Sequence, residues 1–150
     1  MTKLVVDTNI VFSAILNLNS RIAQVLLTCS EHYDFYAPKY IRSEIWEHQQ
    51  KIKKITGLND EEFIEVYELV LKNITILNHS IVGEKNYKFA IELCKTIDVD
   101  DTVFVAFSNY LNCKLWTGDK KLINGLKKKG FNEITTTEEL FNDFLERNNK

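Results

Sequence analysis

The sequence predicts an α/β fold on a mainly parallel sheet, and three observations carry that prediction. Short apolar runs of three or four residues alternate with longer stretches of helical periodicity. Five Gly and one Pro are too few for a turn-rich all-β chain or a disordered one. The length of 150 residues, 45% of them hydrophobic, suits one domain over 1–150 with one sizeable core.

Leu4-Val5-Val6 is the first strand candidate, a compact β-branched run. Ser20 can cap a helix running to Leu27. Asp34–Ala37 is the second strand, and Pro38 fits the first turn of a helix reaching about Lys54, with Gly57 as its stop signal. Asn59 and Glu62 have the spacing of a capping box, opening a helix with Phe63, Val66, Tyr67, Val70 and Leu71 on one face. Ile74–Leu77 is the third strand, followed by a helix from about Glu84 to Lys95. Asp101–Leu111 is apolar nearly all round, which predicts a central buried helix. Lys114–Thr117 and Glu133–Thr135 complete the strands, and Thr136 with Glu139 forms a second capping box before the last helix. Strands this short fit a buried parallel sheet better than hairpins.

Composition excludes several classes. Nineteen Lys+Arg against twenty-one Asp+Glu leave a net charge of −2, so the chain does not hold nucleic acid by bulk positive charge. Cys29, Cys94 and Cys113 are odd in number and widely spaced, which indicates neither a disulfide framework nor a zinc ribbon. Asp7 interrupts the N-terminal apolar run, and no segment approaches the ~20 apolar residues that span a bilayer. The expectation is a reduced, cytoplasmic protein away from membranes. No GxSxG, GxxxxGK[ST] or GxGxxG occurs, and His32, His48 and His79 are scattered.

In an open parallel sheet, sites form beyond the carboxyl ends of the strands. Asp7-Thr8-Asn9 follows the first strand, Gly118-Asp119 the fourth, and Asp98-Val99-Asp100-Asp101 opens the buried helix. Each acid alone has an ordinary explanation as a helix cap. Their recurrence at several such positions is less ordinary. Glu44 lies about 60° from Ile41 at the border of a stripe formed by Ile41, Ile45, Ile52 and Ile55, a position from which it can reach a cleft or stand equally well in solvent. His48 falls inside that stripe and reads as a core or boundary histidine rather than half of a zinc pair with Glu44. Converging carboxylates repel and need a cation or a shared proton. An all-carboxylate set selects Mg²⁺ or Mn²⁺, and such metals serve phosphodiester hydrolysis.

In this arrangement the chain resembles the PIN-domain family of metal-dependent nucleases, which includes the VapC-type toxins. The resemblance runs through LVVDTNIVFSAIL, YIRSEIWEH, DVDDTVFVAFSNYL and LWTGDKKL. It implies an α/β/α sandwich and Mg²⁺- or Mn²⁺-dependent cleavage of RNA. Asp7, Asp101 and Asp119 would be the main ligands, and Glu44 would complete the site or orient the attacking water. Asp98 or Asp100 stands beside the third position as an alternative ligand or supporting partner. Asn9 and Thr117 would hydrogen-bond the ligands. An antitoxin protein and a homodimer are the partners the resemblance implies.

Five lysines (Lys120, Lys121, Lys127, Lys128, Lys129) and no acid lie between Asp119 and Glu133. The first of these, Lys120 and Lys121, are candidates to hold a phosphate backbone, although a solvated basic helix face gives the same pattern. The competing functional class is a non-catalytic binding or regulatory module, either receiver-like or a PIN fold without turnover. Phosphotransfer to one Asp without RNA cleavage would distinguish it.

Overall fold

The computed structural model describes residues 1–149, so Lys150, the last residue of the expected domain, lies outside the described residues. All five expected strands form: β1 (Thr2–Val6), β2 (Tyr33–Pro38), β3 (Ile74–Leu77), β4 (Lys114–Trp116) and β5 (Ile134–Thr135). They build one parallel sheet in the order β3-β2-β1-β4-β5. Pairing registers Leu4 with Phe35 on one side and with Lys114 on the other.

The alternation of side chains along β1 divides the core into two apolar clusters. Leu4 and Val6 join Phe35 and Trp116 beneath α1 (Thr8–Leu16), α2 (Arg21–Thr28), α3 (Tyr40–Glu47), α4 (Gln49–Thr56), α5 (Asp60–Leu71) and α9 (Thr137–Asn148). Val5 and Leu115 face the other way, onto α6 (Glu84–Cys94), α7 (Thr102–Leu111) and α8 (Lys120–Lys128). The result is an α/β/α sandwich. Because helices cover both faces, β1 and β4 need no polar face, which explains their uninterrupted apolar runs. Phe104 to Phe107 of α7 are buried, as the apolar run predicts, whereas Val103 is only partly buried and the polar Ser108 joins the buried set.

Side-chain caps open five of the nine α-helices among the described residues. Ser20 Oγ accepts from the Ala23 N–H at 3.1 Å, and the Asn59–Glu62 capping box is complete. Thr136 Oγ1 accepts from the Glu139 N–H at 3.3 Å, while the return bond to the Thr136 backbone is not made. Gly57 ends α4 at φ 76°, a conformation that side chains with a Cβ rarely adopt.

Two details differ from the expectation. Pro38 is the last residue of β2, since its ring also fits an extended strand end that needs no N–H donor there. The helix expected from Pro38 to Lys54 is two helices, broken at His48. There the His48 ring Nδ1 lies 2.8 Å from the Glu44 carbonyl, which also accepts from the His48 N–H at 3.2 Å. A side chain competing for a helix carbonyl weakens the regular ladder. The break also turns His48 outward, against Phe12 edge-on at 5.5 Å, and leaves Ile55 60% exposed. Only Ile41, Ile45 and Ile52 of the expected stripe are core residues.

Among the described residues, no single helix is long and apolar enough to cross a membrane. Cys29, Cys94 and Cys113 are all free and buried.

Candidate functional site

From β1 the chain runs to β2 and β3 on one side, and β4 and β5 lie on the other. The sheet therefore has its switch point between β1 and β4, where an open α/β sheet forms a crevice at the carboxyl ends of its strands. A cavity of about 620 Å³ opens there. Asp7, Glu44, Asp98, Asp100, Asp101 and Asp119 line it together, and among the described residues no Lys, Arg or His does. Thus all the acids that the sequence singles out reach one space. They do not form a closed cluster, for among the described residues no three acid, His or Cys side chains stand ready to hold a metal ion.

Asp7 sits at the N-cap of α1 and is only 4% exposed. Its Oδ1 accepts from the Asn9 N–H at 3.4 Å, and its Oδ2 accepts from the Thr117 hydroxyl at 2.8 Å. The Thr117 hydroxyl in turn accepts from the Asp119 N–H at 3.1 Å. One buried side chain therefore ties the end of β1 to the turn after β4. Burial raises the Asp7 pKa, the Thr117 and Asn9 hydrogen bonds oppose this, and the Asp119 charge adds to it.

Asp119 is the N-cap of α8, where its Oδ1 accepts from the Lys121 and Leu122 N–H groups at 3.0 and 3.2 Å. Asp98 caps the short 3-10 turn Val99–Asp101 by accepting from the Asp100 N–H at 3.0 Å. With Asp98 in that role, Asp101 at the head of α7 makes no side-chain cap bond. Its Oδ2 is buried without a hydrogen-bond partner. Burial first, then the charges of Asp7, Asp98, Asp119 and Asp100, push the Asp101 carboxyl up to about 7.

Glu44 reaches the cavity from α3 and is partly buried. Burial raises its pKa, against the Tyr40 hydroxyl and His48, and the charges of Asp100 and Asp7 raise it further. The structure also brings in two tyrosines that the sequence does not single out. Tyr40 lies one helical turn before Glu44, and its ring packs near His79 at 5.5 Å and Phe104 at 5.9 Å. Its spacing of four from Glu44 is a readable signal, since such pairs share a helix face. Tyr87 enters from α6, far away in sequence, and nothing local marks it.

The secondary candidates separate. Thr117 contacts Asp7 through its side chain, whereas Asn9 does so through its backbone N–H. Lys120 and Lys121 are exposed beside Asp119. Lys127 and Lys128 are exposed at the far end of α8, and Lys129 binds protein groups.

A chain in the crystal structure of VapBC2 from Rickettsia felis, bound to a DNA fragment from their promoter, has the same fold. It superposes with a TM-score of 0.69 at 16% sequence identity, covering 90% of this chain and 98% of that one. No curated protein matches the sequence. A family model described as PIN domain matches residues 5–140, and the chain belongs to the PIN-domain family.

Proposed function

We propose that the protein is a metal-dependent endoribonuclease that hydrolyses RNA phosphodiester bonds, acting as the toxin of a toxin–antitoxin pair. The observation that carries this reading is the cavity at the sheet's switch point, which six carboxylates line with no basic side chain among the described residues. Family membership supports nuclease chemistry. The fold likeness to a chain of VapBC2 supports the toxin–antitoxin context and an antitoxin partner. Three free, buried cysteines suit a reducing compartment such as the cytoplasm. A homodimer is part of the same proposal.

The donor set fits a hard cation. All the acids offer oxygen, which favours Mg²⁺ or Mn²⁺ over softer metals. The partnerless Asp101 Oδ2, on a carboxyl pushed up to about 7, is a group whose charged form gains from a cation. Asp7, Asp101 and Asp119 would hold it, with Glu44 and Asp98 as further donors. Bound there, the metal would supply positive charge to polarise the phosphate and acidify water.

The chain's own residues do the rest. Thr117 and the Asn9 N–H hold both Asp7 oxygens in place, so this carboxylate costs little reorganisation when the substrate arrives. Asp119 keeps Oδ1 on the α8 N-terminus, which leaves Oδ2 for the site. Glu44, with its raised pKa, orients the attacking water and takes up its proton as the new P–O bond forms and the leaving oxygen departs.

The test is cleavage of a labelled RNA by purified protein with Mn²⁺. EDTA stops it, and Asp7→Asn abolishes it. Cleavage that survives both changes overturns the mechanism. Co-expression with the adjacent reading frame tests the toxin assignment: the reading requires that the partner relieve growth arrest.

A further inference from the structure

Lys129 and Gly125 lie outside the acid cavity, and the chemistry above does not use them. Lys129 follows α8, and its Nζ donates to the Leu93 carbonyl at 2.7 Å, to Thr96 Oγ1 at 2.6 Å and to the Glu92 carbonyl at 3.3 Å. Glu92 and Leu93 belong to the last turn of α6, where carbonyls lack intrahelical donors and a cation meets the negative end of the helix dipole. Midway along α8, a Cβ on Gly125 would lie 2.7 Å from Ile97 Cδ1 and 2.8 Å from its Cγ1. The α8 backbone therefore rests directly on Ile97.

Ile97 immediately precedes Asp98, and the following turn carries Asp100 and Asp101. Asp119 stands at the other end of α8. α8 is thus fastened at two points to the segment that leads into the second group of acids. With no cationic side chain lining the cavity among the described residues, Asp119 and Asp98–Asp101 repel one another. We propose that the Lys129 and Gly125 contacts form a brace setting the spacing of Asp119 against Asp98–Asp101, so both are positioning residues of the acid site. This rests on the metal-dependent reading of that site.

The brace makes a prediction of opposite sign from simple charge. Removing a positive charge near carboxylates strengthens their hold on a cation by Coulomb's law. Loosening the support behind the carboxylates weakens it. The experiment is a Mn²⁺ titration of the full chain followed by electron paramagnetic resonance, well below the melting temperature. Lys129→Met should raise the Mn²⁺ Kd severalfold, short of the roughly tenfold that follows loss of a hydrogen bond made directly to a metal ligand. Lys129→Arg should restore affinity close to wild type, because it keeps a charged donor at the α6 terminus. Gly125→Ala should also weaken binding, by displacing the Ile97 side chain or α8 from their contact; where that variant does not fold, the Lys129 pair decides. Unchanged or tighter Mn²⁺ binding by Lys129→Met, with or without a lower melting temperature, overturns the brace. A wild type that binds no Mn²⁺ overturns the brace and the metal-dependent reading together.

Discussion

Thr117 has a larger structural role than its size suggests. Its hydroxyl donates to Asp7 Oδ2 and accepts from the Asp119 N–H, so one atom sets two acids that are far apart in sequence. Thr117→Val keeps the volume but leaves both partners unmatched in a fully buried position. It should cost about 1–3 kcal/mol of stability and weaken Mn²⁺ binding about tenfold, read by thermal melting and metal titration; an unchanged Mn²⁺ affinity would contradict the role. Asp101 supports a pH prediction. Its folded pKa, about 7, lies above the ordinary 3.8, so the folded state binds this proton more tightly. The associated stability is present at acid pH and is lost as pH rises through about 7. Asp7 and Glu44 shift in the same direction. In EDTA, the wild-type melting temperature should therefore fall relative to Asp101→Asn between pH 6 and pH 8, and parallel curves would refute this. Asp7 and Asp119 were legible in the sequence because each follows a strand. What the sequence could not express was the division among Asp98, Asp100 and Asp101. That depends on Asp98 capping the 3-10 turn, which leaves Asp101 Oδ2 without a partner.

Capping chemistry made several helix starts readable, since it is local. The Asn59–Glu62 box is complete at the start of α5, away from the acid cavity. Asn59→Ala should cost about 1 kcal/mol, roughly 2–4 °C of melting temperature at this length. Mn²⁺ affinity should be unchanged, and a joint loss would mean that α5 communicates with the site. The break at His48 was not legible, because it contains neither Pro nor Gly. It depends on the imidazole reaching back to the Glu44 carbonyl, and an apolar stripe assumes an unbroken helix. That is why Ile55, on the stripe by periodicity, is exposed after the turn. Pro38 was ambiguous for a similar reason. Its fixed φ suits a helix start and an extended end alike, and pairing with Leu77 of β3 selects the strand.

Over the whole molecule, a net charge of −2 conceals two local excesses of opposite sign on neighbouring elements. The acid cavity repels phosphate, so on the proposed reading RNA affinity comes from a bound cation and from the lysines nearest the cavity. The run of five lysines after Asp119 does not act as one patch. Lys129 is engaged by α6, and Lys127 lies seven residues along α8 from Lys120, about 10 Å of helix or one Debye length at ordinary salt. The α8 N-terminus is itself no phosphate site, because the Asp119 carboxylate already accepts from its Lys121 and Leu122 N–H groups. On the proposed reading, phosphate contact on this side falls to the exposed side chains of Lys120 and Lys121. Single-stranded RNA should bind weakly in EDTA and more tightly with Mn²⁺. Replacing Lys120 and Lys121 with Ala should lower the metal-supported affinity and reduce the slope of log K against log salt by about 0.7 per lysine. The Lys127, Lys128 double Ala variant has the same net charge and should keep the wild-type slope. Equal loss in both double variants would mean that the substrate senses the field of the whole helix, and the assignment of contacts to the site's edge would fail.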